Sequence, residues 1–369
     1  MDKKRVLVLS GINLHEGGPL SIYVDLLKEI HALKLDEIYE IYAFVYSREL
    51  FKNVECDVKY IEIPNGRKSY AHRFYYEYWY FYKFSKSINI DIWLSLHDMT
   101  PNVIAKTRMV YCHNPSPFLK PDKKVFKYSK SVFLMSLLYK YIYRINIKKN
   151  DWVIVQQDWI RNEFIRLYGV KNVIVARPTT HEQINIDATT TNGEKKDRKY
   201  TFIFASYPRV FKNFDVILAA DKILEEKGVD GYEVILTLDG SENAYANDLK
   251  KEYTNLRNIK WTGLLDRNVL LNLYGETDCM IFPSKLETWG LPISEYKETK
   301  KPMLLADLPY AHETIGTYEG VAFFDAYNPE DLADKMVAIM DGTLKLENTV
   351  EQKREPYCSS WEELLMRIM

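Results

Sequence analysis

A chain of 369 residues, 47% of them hydrophobic, has material for two cores, because single hydrophobic cores stop growing well below that length. Its 50 basic and 51 acidic residues nearly cancel, and a formal net charge of -1 excludes a protein that grips nucleic acid over its whole surface, which needs a clear cationic excess. The four cysteines, Cys56, Cys112, Cys279 and Cys358, form no C-x-x-C pair, which speaks against a zinc knuckle or a disulfide framework and fits a reducing compartment.

RVLVLSG (5–11) reads as a buried strand, its apolar burst too short for a signal-peptide core. After Gly17-Gly18-Pro19, SIYVDLLKEIHAL repeats its apolar residues at helical spacing. Further strand runs follow in IYAFVY (41–46), IWLSL (92–96), MVYC (109–112) and WVIVQ (152–156). Strands alternating with helical text imply a parallel sheet covered on both faces. Two stretches, RKSYAHRFYYEYWYFYKFSK (67–86) and the segment 120–150, are rich in aromatic and basic residues. Within the second, SVFLMSLLY (131–139) stops at Lys140, short of the roughly 20 apolar residues that span a bilayer, so no crossing is expected. A first domain over 1–178 is therefore expected, then a polar linker over 179–200. A second α/β domain over 201–345 is read from TFIFAS (201–206), EVILTLDG (233–240), MIFPS (280–284) and PMLLAD (302–307). The segment 352–369 ends in a helix that Ser360 and Glu363 cap at capping-box spacing, and it is expected to pack back toward the first domain.

Open α/β sheets bind ligands beyond the carboxyl ends of their strands, and two such domains facing each other make a cleft. KLETWGL (285–291) lies at such an end. Pro292 suits a first helical turn, which predicts a helix from about Leu291 to the Lys300-Lys301-Pro302 stop, with an anion site formed by the loop N–H groups and the helix dipole. Glu287 in the loop and Glu295 about one turn into the helix can both accept hydrogen bonds from hydroxyls flanking a bound phosphate, as in a nucleotide sugar. The plainer account leaves Glu295 solvated and Glu287 balancing the dipole. In ASYPRVFKNFDVIL (205–218), Arg209 and Lys212 follow the opening strand of the second domain, where Arg grips phosphate bidentately and Lys acts as a point charge.

Four stretches in order, YCHNPSPF (111–118), PRVFKN (208–213), WTGLL (261–265) and ETWGLPISE (287–295), together resemble the retaining glycosyltransferases of family 4 over most of the chain. The resemblance implies the α/β GT-B fold, two facing Rossmann-like domains with a cleft between them. It implies transfer of a hexose or deoxyhexose from a UDP- or GDP-linked sugar, with retention, to a glycan, above all a lipid-linked surface-polysaccharide or O-antigen precursor. The nucleotide sugar is a substrate, and no cofactor is expected. Carried over, Glu287 binds donor-sugar hydroxyls, Glu295 the ribose, and Arg209 and Lys212 the diphosphate. The backbone of Thr288, Trp289, Gly290 and Leu291 completes the phosphate site, and Leu265 lines the base pocket. His113 stands near donor sugar and acceptor. His97 and Asp98 are second-rank acceptor candidates, and the Gly17-Gly18 turn lets backbone approach the ligand, although a plain tight turn explains it nearly as well. Attack from the front face needs no covalent intermediate, so no catalytic base is assigned. A metal ion is not expected, since the chain has no D-x-D and the cationic pair supplies the neutralising charge.

Lys140, Arg144 and Lys148 recur four apart after Lys123, Lys124, Lys127 and Lys130, with aromatics interleaved. This suits either a core helix with one solvated stripe or a surface resting on anionic lipid; the resemblance favours the second, hence a cytoplasmic protein peripheral to the inner membrane face. Two departures from the family stand out: Asn213 where many relatives carry glycine, and Trp289 where a smaller residue is common. A nicotinamide-dependent oxidoreductase shares the strand-turn-helix pattern, but SGINLHEGGP lacks G-x-G-x-x-G spacing. A non-catalytic sugar-binding or scaffold protein of the same fold stays open as the alternative.

Overall fold

The structure, a computed structural model, describes residues 4–177 and 198–369; most of the expected linker lies outside them. The described chain forms two units, one of residues 4–117, 135–177 and 353–369, the other of residues 118–134 and 198–352.

In the first unit, β1 (Arg5–Gly11), β2 (Tyr39–Val45), β3 (Val58–Glu62), β4 (Ile92–Ser95), β5 (Thr107–Cys112), β6 (Trp152–Val155), β7 (Val173–Ala176) and a short strand Tyr357–Cys358 build one sheet. Its order is Tyr357–Cys358, β7, β6, β5, β4, β1, β2, β3, and all neighbours run parallel. Successive strand side chains point to opposite faces. Along β1, Leu7 and Leu9 enter one core with Leu26 and Leu27 of helix Gly17–Ala32, while Val6 and Val8 enter another with Phe44, Phe81 and Trp93. Both faces being buried, the strand reads as an unbroken apolar run. Helix Trp361–Ile368 lies on the first of these cores through Trp361, Leu364, Leu365 and Ile368, the indole 5.6 Å from the ring of Tyr111. Ser360 caps it by accepting from the Glu363 N–H at 3.1 Å, while the Glu363 carboxylate reaches back to the N–H of Ser359 at 2.8 Å, one residue earlier than a capping box requires.

The second unit contains β8 (Tyr200–Phe204), β9 (Tyr232–Leu236), β10 (Ile259–Trp261), β11 (Cys279–Phe282), β12 (Met303–Ala306), β13 (Tyr318–Phe324) and β14 (Glu347–Thr349). Their order is β10, β9, β8, β11, β12, β13, β14, parallel except for the antiparallel edge strand β14. Each sheet reverses its strand order once, between β1 and β4 in the first and between β8 and β11 in the second. At such a switch point the loops leaving the two central strands part in opposite directions and open a crevice beyond their carboxyl ends.

Residues 118–134, assigned by the sequence to the first domain, pack instead on the second unit. Helix Lys123–Tyr128, capped by Asp122, pairs Lys124 with Asp215 and Lys127 with Asp248 at 2.8 Å. Tyr128 donates to Asp248 at 2.7 Å and lays its ring 5.3 Å from that of Tyr245. Two of the lysines read as an open cationic surface are thus held by carboxylates distant in sequence. No helix among the described residues is long and apolar enough to cross a membrane.

Candidate functional site

At the switch point of the second sheet, the loop after β8 and the loop after β11 are tied together before any side-chain chemistry is considered. Arg209 opens the short turn Val210–Lys212, and Asn213, at φ 60°, turns the chain into helix Phe214–Glu226. The left-handed conformation costs most residues ~1–2 kcal/mol, which Asn tolerates better than most. Its buried amide then donates to the carbonyls of Pro283 at 3.1 Å and Ala326 at 2.8 Å. The Lys285 N–H donates to the Phe211 carbonyl at 2.7 Å, and the Ser284 hydroxyl to the same oxygen at 3.3 Å. These bonds bring Lys212 and Glu287 into an ion pair, their side chains only 16% and 12% exposed. Arg209 is exposed and has no ion pair among the described residues. Its guanidinium lies 5.9 Å and 6.0 Å from the ring centroids of Tyr207 and Phe211, and with them it lines a cavity of about 230 Å³.

Beyond Glu287, Thr288 and Trp289 are half-buried, and the Trp289 carbonyl accepts from the Thr314 hydroxyl. Gly290 sits at φ 84°, a conformation open to glycine at little cost, and hands the chain to helix Leu291–Lys297 with Pro292 in its first turn. That helix has seven residues and ends before the expected stop at Lys300, so the phosphate reading falls on side chains rather than on a long aligned dipole. Glu295 is buried, which overturns the account of it as a solvated helix residue. The guanidinium of Arg267 reaches it at 2.8 Å from a side chain 48% exposed. Arg267 opens helix Arg267–Glu276, two residues after the half-buried Leu265. The buried Tyr274 hydroxyl, which has no hydrogen-bond partner among the described residues, is pushed well above its ordinary pKa by burial and then by the charge of Glu295.

At the switch point of the first sheet, Gly17 stands at φ 67° and Gly18 faces open space, where a Cβ would meet nothing within 4 Å. His113 directly follows β5, its ring 10% exposed. Its Nε2 lies 3.8 Å from Asp98 Oδ2, and its Nδ1 is buried without a hydrogen-bond partner among the described residues. Burial lowers its pKa, His97 and Arg73 add to that, and Asp98 opposes it. Cys112 beside it is buried, and burial followed by the charge of Asp98 pushes its thiol far up, which removes it as a nucleophile.

His97 and Asp98, expected near an acceptor, are placed otherwise. His97 is fully buried, with Nδ1 2.9 Å from the Ser10 carbonyl and Nε2 on Glu77. Asp98, also buried, accepts from the N–H groups of His113 at 2.8 Å and Asn114 at 3.0 Å and from the Tyr143 hydroxyl at 2.8 Å. Asp98 is engaged in holding the loop that carries His113 and His97 in its contacts with Ser10, Glu77 and Arg73, and neither presents a surface to an acceptor. Arg267 is the residue that sequence reasoning missed at the second site; its place two residues after WTGLL was a signal, but its partner was not. Among the described residues, no group of three or more His, Cys, Asp or Glu stands ready to hold a metal ion.

Residues 186–355 match the family model described as glycosyl transferases group 1. O-antigen chain mannosyltransferase RfbU of Salmonella typhimurium is 20% identical over 253 residues, covering 64% of this chain and 64% of that protein. Processive diacylglycerol alpha-glucosyltransferase of Acholeplasma laidlawii is 25% identical over 175 residues, 40% of this chain and 52% of that protein. The chain thus spans less than two thirds of either relative's length. Among solved structures, a glycosyltransferase from Rickettsia africae ESF-5 superposes with a TM-score of 0.64 at 17% identity, covering 92% of this chain and 88% of that one. With the two parallel-sheet units and their switch points, these matches show that the chain has the GT-B fold, and its residues 186–355 are similar to the glycosyl transferases group 1 family.

Proposed function

We propose that this protein is a retaining glycosyltransferase of the family 4 type, moving a hexose or deoxyhexose from a UDP- or GDP-sugar to a glycan acceptor, a lipid-linked precursor of surface polysaccharide. The observation that carries the reading is the junction of the loops after β8 and β11, where Arg209, Lys212 and Glu287 gather at a switch point. A lysine ammonium has three N–H donors, so Lys212 can orient Glu287 with one and meet a diphosphate oxygen with another. Arg209 supplies a second cation for the departing diphosphate, and fixed charges aimed at developing charge are the usual large term in transfer catalysis. Glu287 then takes donor-sugar hydroxyls and Glu295, oriented by Arg267, takes the ribose, with Leu265 and its loop beside the base. In this reading the cations do the neutralising and no metal ion takes part. RfbU, named for O-antigen chain mannosyl transfer, supports the acceptor class.

The test is incubation with a panel of nucleotide sugars, followed by assay of nucleoside diphosphate release. Release from one donor is expected, and Glu295→Ala should bind that nucleoside diphosphate more weakly; wild-type affinity in the variant removes the ribose assignment. A protein that binds nucleotide without ever releasing it from a donor is the non-catalytic relative instead.

The lipid-linked acceptor brings a membrane-peripheral surface into the same reading. Leu137, Leu138, Tyr141 and Ile145 are exposed beside Lys140, Arg144 and Lys148, and Lys140 lies 5.2 Å from the Tyr141 ring. Apolar and aromatic groups mixed with cations suit the headgroup layer of anionic lipid. Flotation with phosphatidylglycerol vesicles should carry the protein upward and fail for Leu138→Asp; equal flotation of the two would remove this face from the contact.

A further inference from the structure

The aromatic run 67–86 has no part in the site described above. It folds as helix Tyr70–Tyr75, a π-helical turn Tyr76–Tyr80 and helix Phe81–Ser87. Single π turns inside helices recur at functional sites. Within this one Glu77 is fully buried, where carboxylates are rarely found unless paired. Its Oε1 contacts Nε2 of His97, whose Nδ1 lies 2.9 Å from the Ser10 carbonyl. A carbonyl only accepts, so Nδ1–H donates to it, and the contact between Nε2 and Oε1 must hold a further proton. Arg73, one turn before Glu77 and also buried, donates to the His97 carbonyl and, at 3.3 Å, to the Tyr139 hydroxyl. Its Nε lies 3.9 Å from Glu77 Oε1.

His97 is therefore held by its ring and by its carbonyl. The next residue, Asp98, stands at φ 72°, which costs a side-chain-bearing residue ~1–2 kcal/mol. Such a conformation persists where the surroundings over-determine it. In that conformation its Oδ1 accepts from the N–H groups of His113 and Asn114, while its Oδ2 faces the His113 ring. The charges also balance: Glu77 and His97 share a proton, and the cation of Arg73 offsets the anion of Asp98.

We propose that Arg73, Glu77 and His97 are positioning residues, a buried brace that acts through the Asp98 turn to set where the His113 imidazole stands during sugar transfer. The inference rests on the transferase reading. A misplacement of ~1 Å in a reacting group can cost about 100-fold in rate, so the brace bears on turnover while touching no substrate.

The test uses the full chain labelled with ¹⁵N-histidine, with the His113 resonance assigned by its loss in His113→Ala and followed in the free protein. Turnover is read with whichever of UDP-glucose, UDP-galactose and GDP-mannose releases nucleoside diphosphate. Glu77→Ala is expected to displace the resonance and lower kcat roughly 10- to 100-fold, with donor KM held within about twofold. Glu77→Gln, whose amide N–H can donate to His97 Nε2, should restore both. Tyr143→Phe removes one hydroxyl from Asp98 and should displace the resonance with a smaller loss of kcat; if Glu77→Ala does not fold, this variant decides. An unmoved His113 resonance in a folded variant overturns the brace, as does a fall in kcat that only tracks the unfolded fraction. If His113→Ala turns donor over like the wild type, it is the transferase role of His113 that fails, and a resonance displaced by Glu77→Ala shows the geometry intact with nothing left to position.

Discussion

Lys212 and Glu287 neutralise each other across two loops, and Arg267 and Glu295 do the same between two helices, so each proposed ligand contact is also a structural contact. Removing one side chain therefore has two effects, which a careful choice of variant separates. Lys212→Met keeps the length of the stem and deletes the charge; it should lower turnover roughly 100-fold while nucleoside diphosphate affinity falls less, because a fixed cation serves the departing charge more than the ground state. Steady-state kinetics against calorimetric binding checks this, and equal losses in both would make Lys212 a plain binding residue. Glu287, Arg209 and Lys212 were placed by sequence because each lies near a turn residue or strand end, and Glu295 because Pro292 marks the first turn of its helix, while its burial was not legible. Arg267 was not, since its meeting with Glu295 depends on how helices Arg267–Glu276 and Leu291–Lys297 come together. The burial of His97 and Asp98 was hidden for the same reason: their position after a strand marks a switch-point loop, but His97 is covered by Glu77 of the π-helical turn and Asp98 is taken up by Tyr143 and the N–H groups of His113 and Asn114, all distant in sequence.

Among elements, most strands buried on both faces announced themselves, as in RVLVLSG and MIFPS, although the buried VIVA of β7 and the glycine-interrupted YEGVAFF of β13 went unread. Strands β3, β10 and β14 did not, because at or near a sheet edge one face meets solvent and the apolar run breaks into mixed residues such as VKYIE. Helix Phe214–Glu226 shows a different gap. Its Asp221 is fully buried, accepts from the Tyr232 hydroxyl at 2.8 Å through Oδ1 and leaves Oδ2 without a partner among the described residues. Burial raises its pKa from 3.8 to about 6, the Tyr232 bond opposing and Glu225 adding. With the folded value above the unfolded one, the proton favours the folded chain; that contribution is complete below pH 3.8 and is lost as pH rises through about 6. Asp221→Asn should therefore gain on the wild type as pH climbs, by ~1–3 kcal/mol near neutrality. Urea unfolding on either side of that window checks it, and a difference that stays constant with pH would mean that Asp221 titrates as an ordinary carboxyl.

At the scale of the molecule, the sequence showed two α/β halves because the strand-helix alternation stops and restarts around a polar stretch. It could not show that the chain leaves one unit and rejoins it, since membership is set by partners such as Asp215, Asp248 and Tyr245, far from residues 118–134 in sequence. The same holds for residues 353–369, which complete the first unit after the second has been built. One outcome of this threading concerns synthesis. When the ribosome has finished the first 177 residues, helix Lys123–Tyr128 has no docking surface and the first core still lacks Trp361, Leu364, Leu365 and Ile368. The first unit cannot reach its final packing before residues 353–369 emerge, nor the second before residue 352, so a nascent chain stalled near residue 177 should stay protease-sensitive across both regions, however well its individual strands and helices have formed.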